Sequence, residues 1–261
     1  MKKTLLPLSV VILLAILIGS CTKTGPQGPS GPTGPSGTTG PNLMGTLEGY
    51  VSTFDQYGYK VTSDQGGVLV KIDDAANDSA TTDASGKYTF SNLATGTYNL
   101  TYSKANYGTF KAVDFGFVGG GTTLRNASLS QFPTFSLTAV NDTIETIAGT
   151  PGVLVRGTAT ADASTRSYAV FVSSSSSVSS NPANFTFANT NGTIRATNTN
   201  WGVFISSREL YDAGLNSGTT AYLAVYPIAT GIQTYTDLST GRAIYTAISA
   251  SPAQVLTVTI P

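Results

Sequence analysis

Thr81-Thr82-Asp83-Ala84-Ser85-Gly86-Lys87-Tyr88-Thr89-Phe90, followed by Asn92-Leu93 and Gly96-Thr97-Tyr98-Asn99-Leu100, decides the fold class. Tyr88 and Phe90 stand two residues apart after an Asp-Ala-Ser-Gly turn signal, and Tyr98, Leu100 and Tyr102 repeat that spacing after Thr95-Gly96-Thr97. Side chains alternate between the two faces of a strand, so this period marks strands with one buried face. Asp and Gly between the runs supply the turn conformations. Outward from this stretch the same texture continues. Leu47, Gly49 and Val51 share one face, as do Val68, Val70 and Ile72. Phe110, Val113, Phe115 and Phe117 add apolar residues, and Leu124–Leu129 closes the set. Further turn signals lie at Asp64-Gln65-Gly66-Gly67 and Gly119–Gly121. Short strands at this spacing predict a small antiparallel sandwich over residues 43–131.

Gln131-Phe132-Pro133 reads as a domain junction. Alternation resumes in Phe135–Val140, Val153–Ala161, Tyr168–Ser173, Trp201–Ile205, Ala221–Pro227, Arg242–Ile248 and Gln254–Ile260. These predict a second β-sandwich over residues 132–261. The one helical turn expected is Ser206–Tyr211, where Ser206 and Glu209 stand at capping-box spacing. The fold class is therefore all-β, with two consecutive antiparallel β-sandwich domains.

The first of these resembles the carboxypeptidase regulatory-like domain. The family pattern T-D-x-x-G-x-Y/F-x-F…L…G-x-Y-x-L is met by Thr82-Asp83, Gly86, Tyr88, Phe90, Leu93, Gly96, Tyr98 and Leu100. Gly49-Tyr50-Val51 and Gly67–Val70 fit its opening strands. Lys104-Ala105-Asn106-Tyr107 fits its K-x-G-Y turn, with Asn106 where glycine is usual. The resemblance implies a transthyretin-like sandwich in which Gly86 turns the hairpin. Tyr88, Phe90, Leu93, Tyr98 and Leu100 would pack the core. It implies no peptidase chemistry, and so a folding or presentation module. In the second half, Leu215–Tyr226 resembles the L-x-P-G-T-x-Y-x-V-x-V strand of fibronectin type III domains, with serine in place of proline. An immunoglobulin-like sandwich is the implied fold.

The N-terminus carries an address. Lys2 and Lys3 precede the apolar run Leu5–Ile18, which is shorter than the roughly 20 residues a spanning helix needs and has the layout of an export signal. Ile18-Gly19-Ser20-Cys21 resembles the lipobox of bacterial lipoproteins, and Cys21 is the single cysteine of the chain. The resemblance implies removal of signal peptide 1–20 and lipidation of Cys21. Several acyl chains anchor a protein where one would bind only marginally. The membrane is thus the first expected partner, and the expected localisation is the outer membrane, facing the cell surface or the periplasm. Next, Gly25–Asn42 forms six consecutive Gly-X-Y triplets and resembles bacterial collagen-like segments. Residues 21–42 would serve as a spacer on a monomer, with a trimerising stalk as the alternative.

Composition removes whole classes of chemistry. The 261 residues carry 14 basic and 14 acidic side chains, and no histidine. No basic stripe tracks phosphates, which argues against nucleic acid as a partner. Without histidine the serines of Ser173–Ser177 have no usual base to activate them, and they read as a flexible loop. No catalytic residue is assigned and no cofactor is expected. Asp73, Asp74, Asp78 and Asp83 cluster along one stretch and are the calcium candidates, since calcium takes oxygen ligands. They lack Asp-x-Asp-x-Asp-Gly spacing, and aspartate also favours turns for backbone reasons. Trp201 opens a strand and is expected in the core. The function expected is a non-enzymatic, lipid-anchored envelope protein presenting its sandwiches for structural or binding roles. A glycan- or peptide-binding accessory lipoprotein is the alternative, and a carboxylate-based hydrolase is a third class.

Overall fold

A computed structural model describes residues 43–73 and 78–261. The expected signal peptide 1–20, Cys21, the Gly-X-Y triplets of residues 25–42 and Asp74 lie outside the described residues. The first sandwich comprises β1 (Met44–Phe54), β2 (Leu69–Ile72), β3 (Ser79–Thr81), β4 (Lys87–Ala94), β5 (Gly96–Ser103), β6 (Phe110–Phe117), β7 (Thr122–Leu124) and β8 (Ala127–Ser130). One sheet is ordered β3-β2-β5-β6, and the other places β4 on one edge of β1 with β7 and β8 on its opposite edge. All pairings are antiparallel except those of β1 with β7 and β8. The run expected at Leu124–Leu129 is thus two strands, broken at Arg125-Asn126, where the Asn126 side chain accepts from Tyr50 N at 2.9 Å. Gly49 lies opposite this break. A Cβ there would sit 1.9 Å from the Arg125 carbonyl oxygen, so the jog and the glycine require each other.

Between the sheets lie Leu47, Val51, Val68, Val70, Ile72, Tyr88, Phe90, Leu93, Leu100 and Tyr102, with Phe110, Phe117 and Leu129. Tyr88 and Tyr102 are buried with their hydroxyls 3.0 Å apart, and Tyr88 donates onward to the Arg125 carbonyl at 2.6 Å. Desolvation pushes the Tyr88 hydroxyl far above its ordinary range, so it stays a donor. Tyr98, expected inside, packs against this core and stays half-buried. A bulge between Tyr98 and Leu100 shifts the β5–β6 register, and the Tyr98 hydroxyl turns back to the Ala94 carbonyl at 2.8 Å. The same bulge leaves Val113 and Phe115 half-buried while Ala112 and Phe117 point inward. Asn106 has φ of 66°, the left-handed conformation that the family's glycine would adopt and asparagine tolerates.

The second sandwich comprises β9 (Leu137–Ile147), β10 (Thr150–Ala159), β11 (Arg166–Ser173), β12 (Phe187–Ile194), β13 (Asn200–Ser206), α1 (Ser207–Asp212), β14 (Thr220–Ile228), β15 (Thr234–Thr236), β16 (Ala243–Tyr245) and β17 (Gln254–Thr259). Its sheets run β13-β10-β9 and β12-β11-β14-β17. Ser206 caps α1: its hydroxyl accepts from Glu209 N, and Glu209 Oε2 accepts from Ser206 N at 2.8 Å, the capping box its spacing implied. Trp201 is buried, its ring centroid 4.4 Å from that of Tyr168 in a tilted contact, with its indole N–H on the Thr158 carbonyl at 3.1 Å.

Three expectations change here. Arg242–Ile248 is no sandwich strand: β16 pairs only with β15, in a hairpin outside both sheets. Strand β12 was not expected at all, because Phe187-Ala-Asn-Thr-Asn-Gly-Thr-Ile194 is mostly polar and lies on a sheet edge. The serines at 174–177 are exposed in a loop, but the segment beyond them is pinned, since Val178 and Phe185 bury against Phe171 and Tyr226 on the outer face of β11 and β14.

Candidate functional site at the sandwich junction

The two sandwiches belong to one compact unit, and side chains lock them together. Gln56 makes a two-way contact with Thr134, donating to its hydroxyl at 2.8 Å and accepting from its N–H at 2.7 Å. The Gln56 carbonyl accepts from Thr230 N at 2.9 Å. Tyr57 donates its hydroxyl to Asp162 Oδ2 at 2.5 Å, which raises the tyrosine above and holds the carboxyl below its ordinary range. Gly108 presses so close to Thr246 that an added Cβ would meet its carbonyl oxygen at 2.2 Å.

The β15–β16 hairpin reaches from the second sandwich onto β6 of the first. Tyr235 meets Phe110 edge to face, with ring centroids 6.1 Å apart, and Gln233 accepts from Ser128 N at 3.0 Å. Between hairpin and β6 runs a groove of two adjoining hollows, of about 250 and 310 Å³. Lys111, Val113, Tyr235, Thr236 and Leu238 line both. Asp73, Asn99, Asp237 and Ile244 complete one end, and Asp114 and Arg125 the other. Leu238 at the hairpin tip is 68% exposed, and Tyr235 is half-buried with its hydroxyl raised by desolvation.

Two of the carboxylates around this apolar strip are held by neighbouring donors. Desolvation pushes the Asp73 carboxyl up, but hydrogen bonds from Thr101 at 2.7 Å and Lys111 at 3.0 Å outweigh it and hold it low. Hydrogen bonds from Ser239 and Thr240 likewise lower Asp237. Arg125 lies 5.5 Å from the Phe115 ring and has no carboxylate within 4 Å among the described residues. A general acid needs a raised carboxyl pKa. Asp142 is raised, by desolvation, but it sits on β9 and does not line the groove.

Of the calcium candidates, Asp73 is held by Thr101 and Lys111, and Asp83 folds its carboxylate onto Ser85 and Lys87 N within its own turn. Asp78 is exposed beside β3. Among the described residues no three acidic, histidine or cysteine side chains gather as a metal site. The groove residues Tyr235, Leu238, Lys111 and Arg125 were not singled out from sequence. The one signal the sequence offers is a leucine between the turn residues Asp237 and Ser239.

The turn geometry, the left-handed Asn106 and the two-sheet core all agree with the resemblance noted above. Residues 60–130 match the carboxypeptidase regulatory-like domain. The match begins after β1, although β1 forms the centre of one of the two sheets. Within the domain, Lys104 donates to the Asp64 carboxylate and carbonyl at 2.7 Å and to the Gly66 carbonyl at 2.6 Å. Tyr107 donates to the other Asp64 oxygen at 2.7 Å. The Lys104–Tyr107 turn is thereby tied to the Thr62–Asp64 3-10 turn, a structural role for both motif side chains.

No curated protein sequence matches the chain. Among solved structures, a cohesin–X-dockerin complex from Acetivibrio cellulolyticus aligns at 22% identity over 33% of this chain and 58% of that chain, with TM-score 0.29. The aligned part thus spans less than two thirds of that protein. A candidate carbohydrate-binding protein from Bacteroides uniformis aligns at 14% identity over 83% and 99% of the two chains, with TM-score 0.31. A DUF3823 family protein from the same species aligns at 16% over 85% and 100%, with TM-score 0.27. Likenesses at these scores carry no function across.

Proposed function

We propose that this is a non-enzymatic envelope protein, anchored through lipidated Cys21 in the outer membrane and raised above the lipid by the triplets of residues 25–42. Its docked sandwiches present the junction groove as a binding surface. The observation that carries the binding role is the groove itself. An apolar strip of Val113, Tyr235 and Leu238 is bordered by charged side chains, of which Asp73 is held by Thr101 and Lys111 and Asp237 by Ser239 and Thr240. Such an arrangement suits holding a ligand, and Asp73 and Asp237 are kept below the range in which a carboxyl serves as a general acid. Glycan or peptide capture is the specific form this role would take.

Two measurements test the reading. Metabolic labelling with a fatty acid should mark the wild-type chain and not Cys21→Ala, which should also remain uncut. A normally processed, membrane-bound Cys21→Ala protein would overturn the anchor. For the groove, a screen of the full chain against envelope glycans and proteins should return a ligand that Leu238→Ser weakens and that is recovered unmodified. Recovery of a cleaved ligand would overturn the non-enzymatic role.

A further inference from the structure

We infer that the junction groove takes a neutral saccharide, a ring or two in length, stacked on Tyr235. This rests on the groove being a binding surface, as proposed above, and three features of the groove decide the class. The first is the floor. Tyr235 is held edge-on by Phe110 and flanked by Val113 and Leu238, so it offers a fixed aromatic surface at the mouth of a hollow. An apolar face with a polar tip suits a ligand that is itself apolar on one side and hydroxylated at its edge. No described group hydrogen-bonds the Tyr235 hydroxyl, so it is free to meet such an edge.

The second is the rim, which carries both acceptors and donors. Asp73 stands beside Lys111 at 3.0 Å, Asp114 and Arg125 share the far hollow, and Asn99 and Asp237 border the near one. A sugar hydroxyl donates and accepts at once, so neighbouring carboxylate and cationic groups can each take one of its roles. Counted by sign, three carboxylates face two cations, which disfavours an acidic sugar. The third is the edge of β6. Extended peptides bind by adding a strand to a free sheet edge, and here β15 packs beside β6 without pairing to it, which leaves little width for a further strand. The hollows, at about 250 and 310 Å³, lie just below and at the lower limit of the roughly 300–1,000 Å³ of small-molecule sites. They suit a mono- or disaccharide rather than a long chain.

The test is titration of the purified full chain, followed by NMR or calorimetry, with neutral disaccharides (cellobiose, maltose, lactose), digalacturonate and an extended tetrapeptide. At least one neutral disaccharide should bind, and Tyr235→Ala should weaken it about tenfold or more, as expected for loss of an aromatic platform. Leu238→Ser, at an exposed position where folding is not at stake, should weaken it less, and Tyr59→Ser, exposed outside the groove, should leave it unchanged. Binding of digalacturonate or the tetrapeptide in preference to every neutral sugar would overturn the saccharide class while leaving the groove a binding surface. Binding that is unaffected by both groove substitutions would overturn the groove as the site.

Discussion

The two sandwiches solve the same burial problem differently. In the first, each sheet has one face on the core and one in water, so strands such as β2 and β5 alternate between buried and more exposed positions. Its core is sealed by a polar device, the chain of hydroxyls from Tyr102 through Tyr88 to the Arg125 carbonyl. In the second, β11 and β14 are covered on both faces. Val170, Val172, Leu223 and Val225 face the inter-sheet core, while Ala169, Phe171, Ala224 and Tyr226 face a second cluster beneath the 174–186 segment and the hairpin. Doubly covered strands read as unbroken apolar runs. The lesson is that a loop and a hairpin with little apolar pattern of their own can complete a core, provided the strand beneath them is apolar on both sides.

That contrast can be broken at the cores. Truncating a large buried aromatic costs about 3–5 kcal/mol, and both Tyr88→Ala and Phe171→Ala should fall in that range by denaturant unfolding. Their reach should differ. Tyr88→Ala should loosen amides across the first sandwich, whereas Phe171→Ala should raise hydrogen exchange mainly in 174–186 and the hairpin while the inter-sheet core stays protected. Equal loss of protection throughout the second sandwich in Phe171→Ala would refute a separate outer cluster.

A smaller effect sharpens the backbone side of the comparison. Gly49→Ala forces a methyl against the Arg125 carbonyl, and overpacking of this kind costs about 1–3 kcal/mol. Gly202→Ala on β13 of the second sandwich meets nothing closer than 3.4 Å and should be nearly silent. Chemical melts of the two variants check this directly.

The smallest effect concerns charge. Hydrogen bonds from Lys104 and Tyr107 hold the Asp64 carboxyl below its ordinary range. A carboxyl lowered on folding adds stability above its unfolded pKa, near 4, and that stability is lost as pH falls through the folded value. Asp64→Asn should therefore be modestly less stable than wild type at pH 7, with the gap closing below about pH 4. A gap that persisted at pH 2 would assign the effect to packing instead.

Much of the first sandwich was legible because its pattern is local. Alternation placed Val68, Val70, Ile72, Tyr88, Phe90 and Leu100 inside, and Asp83–Gly86 made the turn, with Gly86 at φ of 85°. Tyr98 also packs against this core, and a bulge in the pairing of β5 with β6 accompanies its lower burial. Strand β12 escaped because an edge strand holds by backbone pairing to β11 and needs few apolar side chains. The groove escaped entirely: Lys111 and Tyr235 lie 124 positions apart in the chain and form a site only because the hairpin crosses to β6.

By itself, the sequence determined the all-β class, the positions of most strands, the capped turn at Ser206 and the motif that matches the carboxypeptidase regulatory-like domain. These follow from periods of two and from residues with special backbone freedom, which act over a few neighbours. Tertiary structure decided the parallel pairing of β1 with β7 and β8, the outer cluster over Phe171, the locked junction and the groove. Each of these depends on which surfaces meet, and surfaces from distant segments meet only when burying them together outweighs the entropy of closing the chain between them.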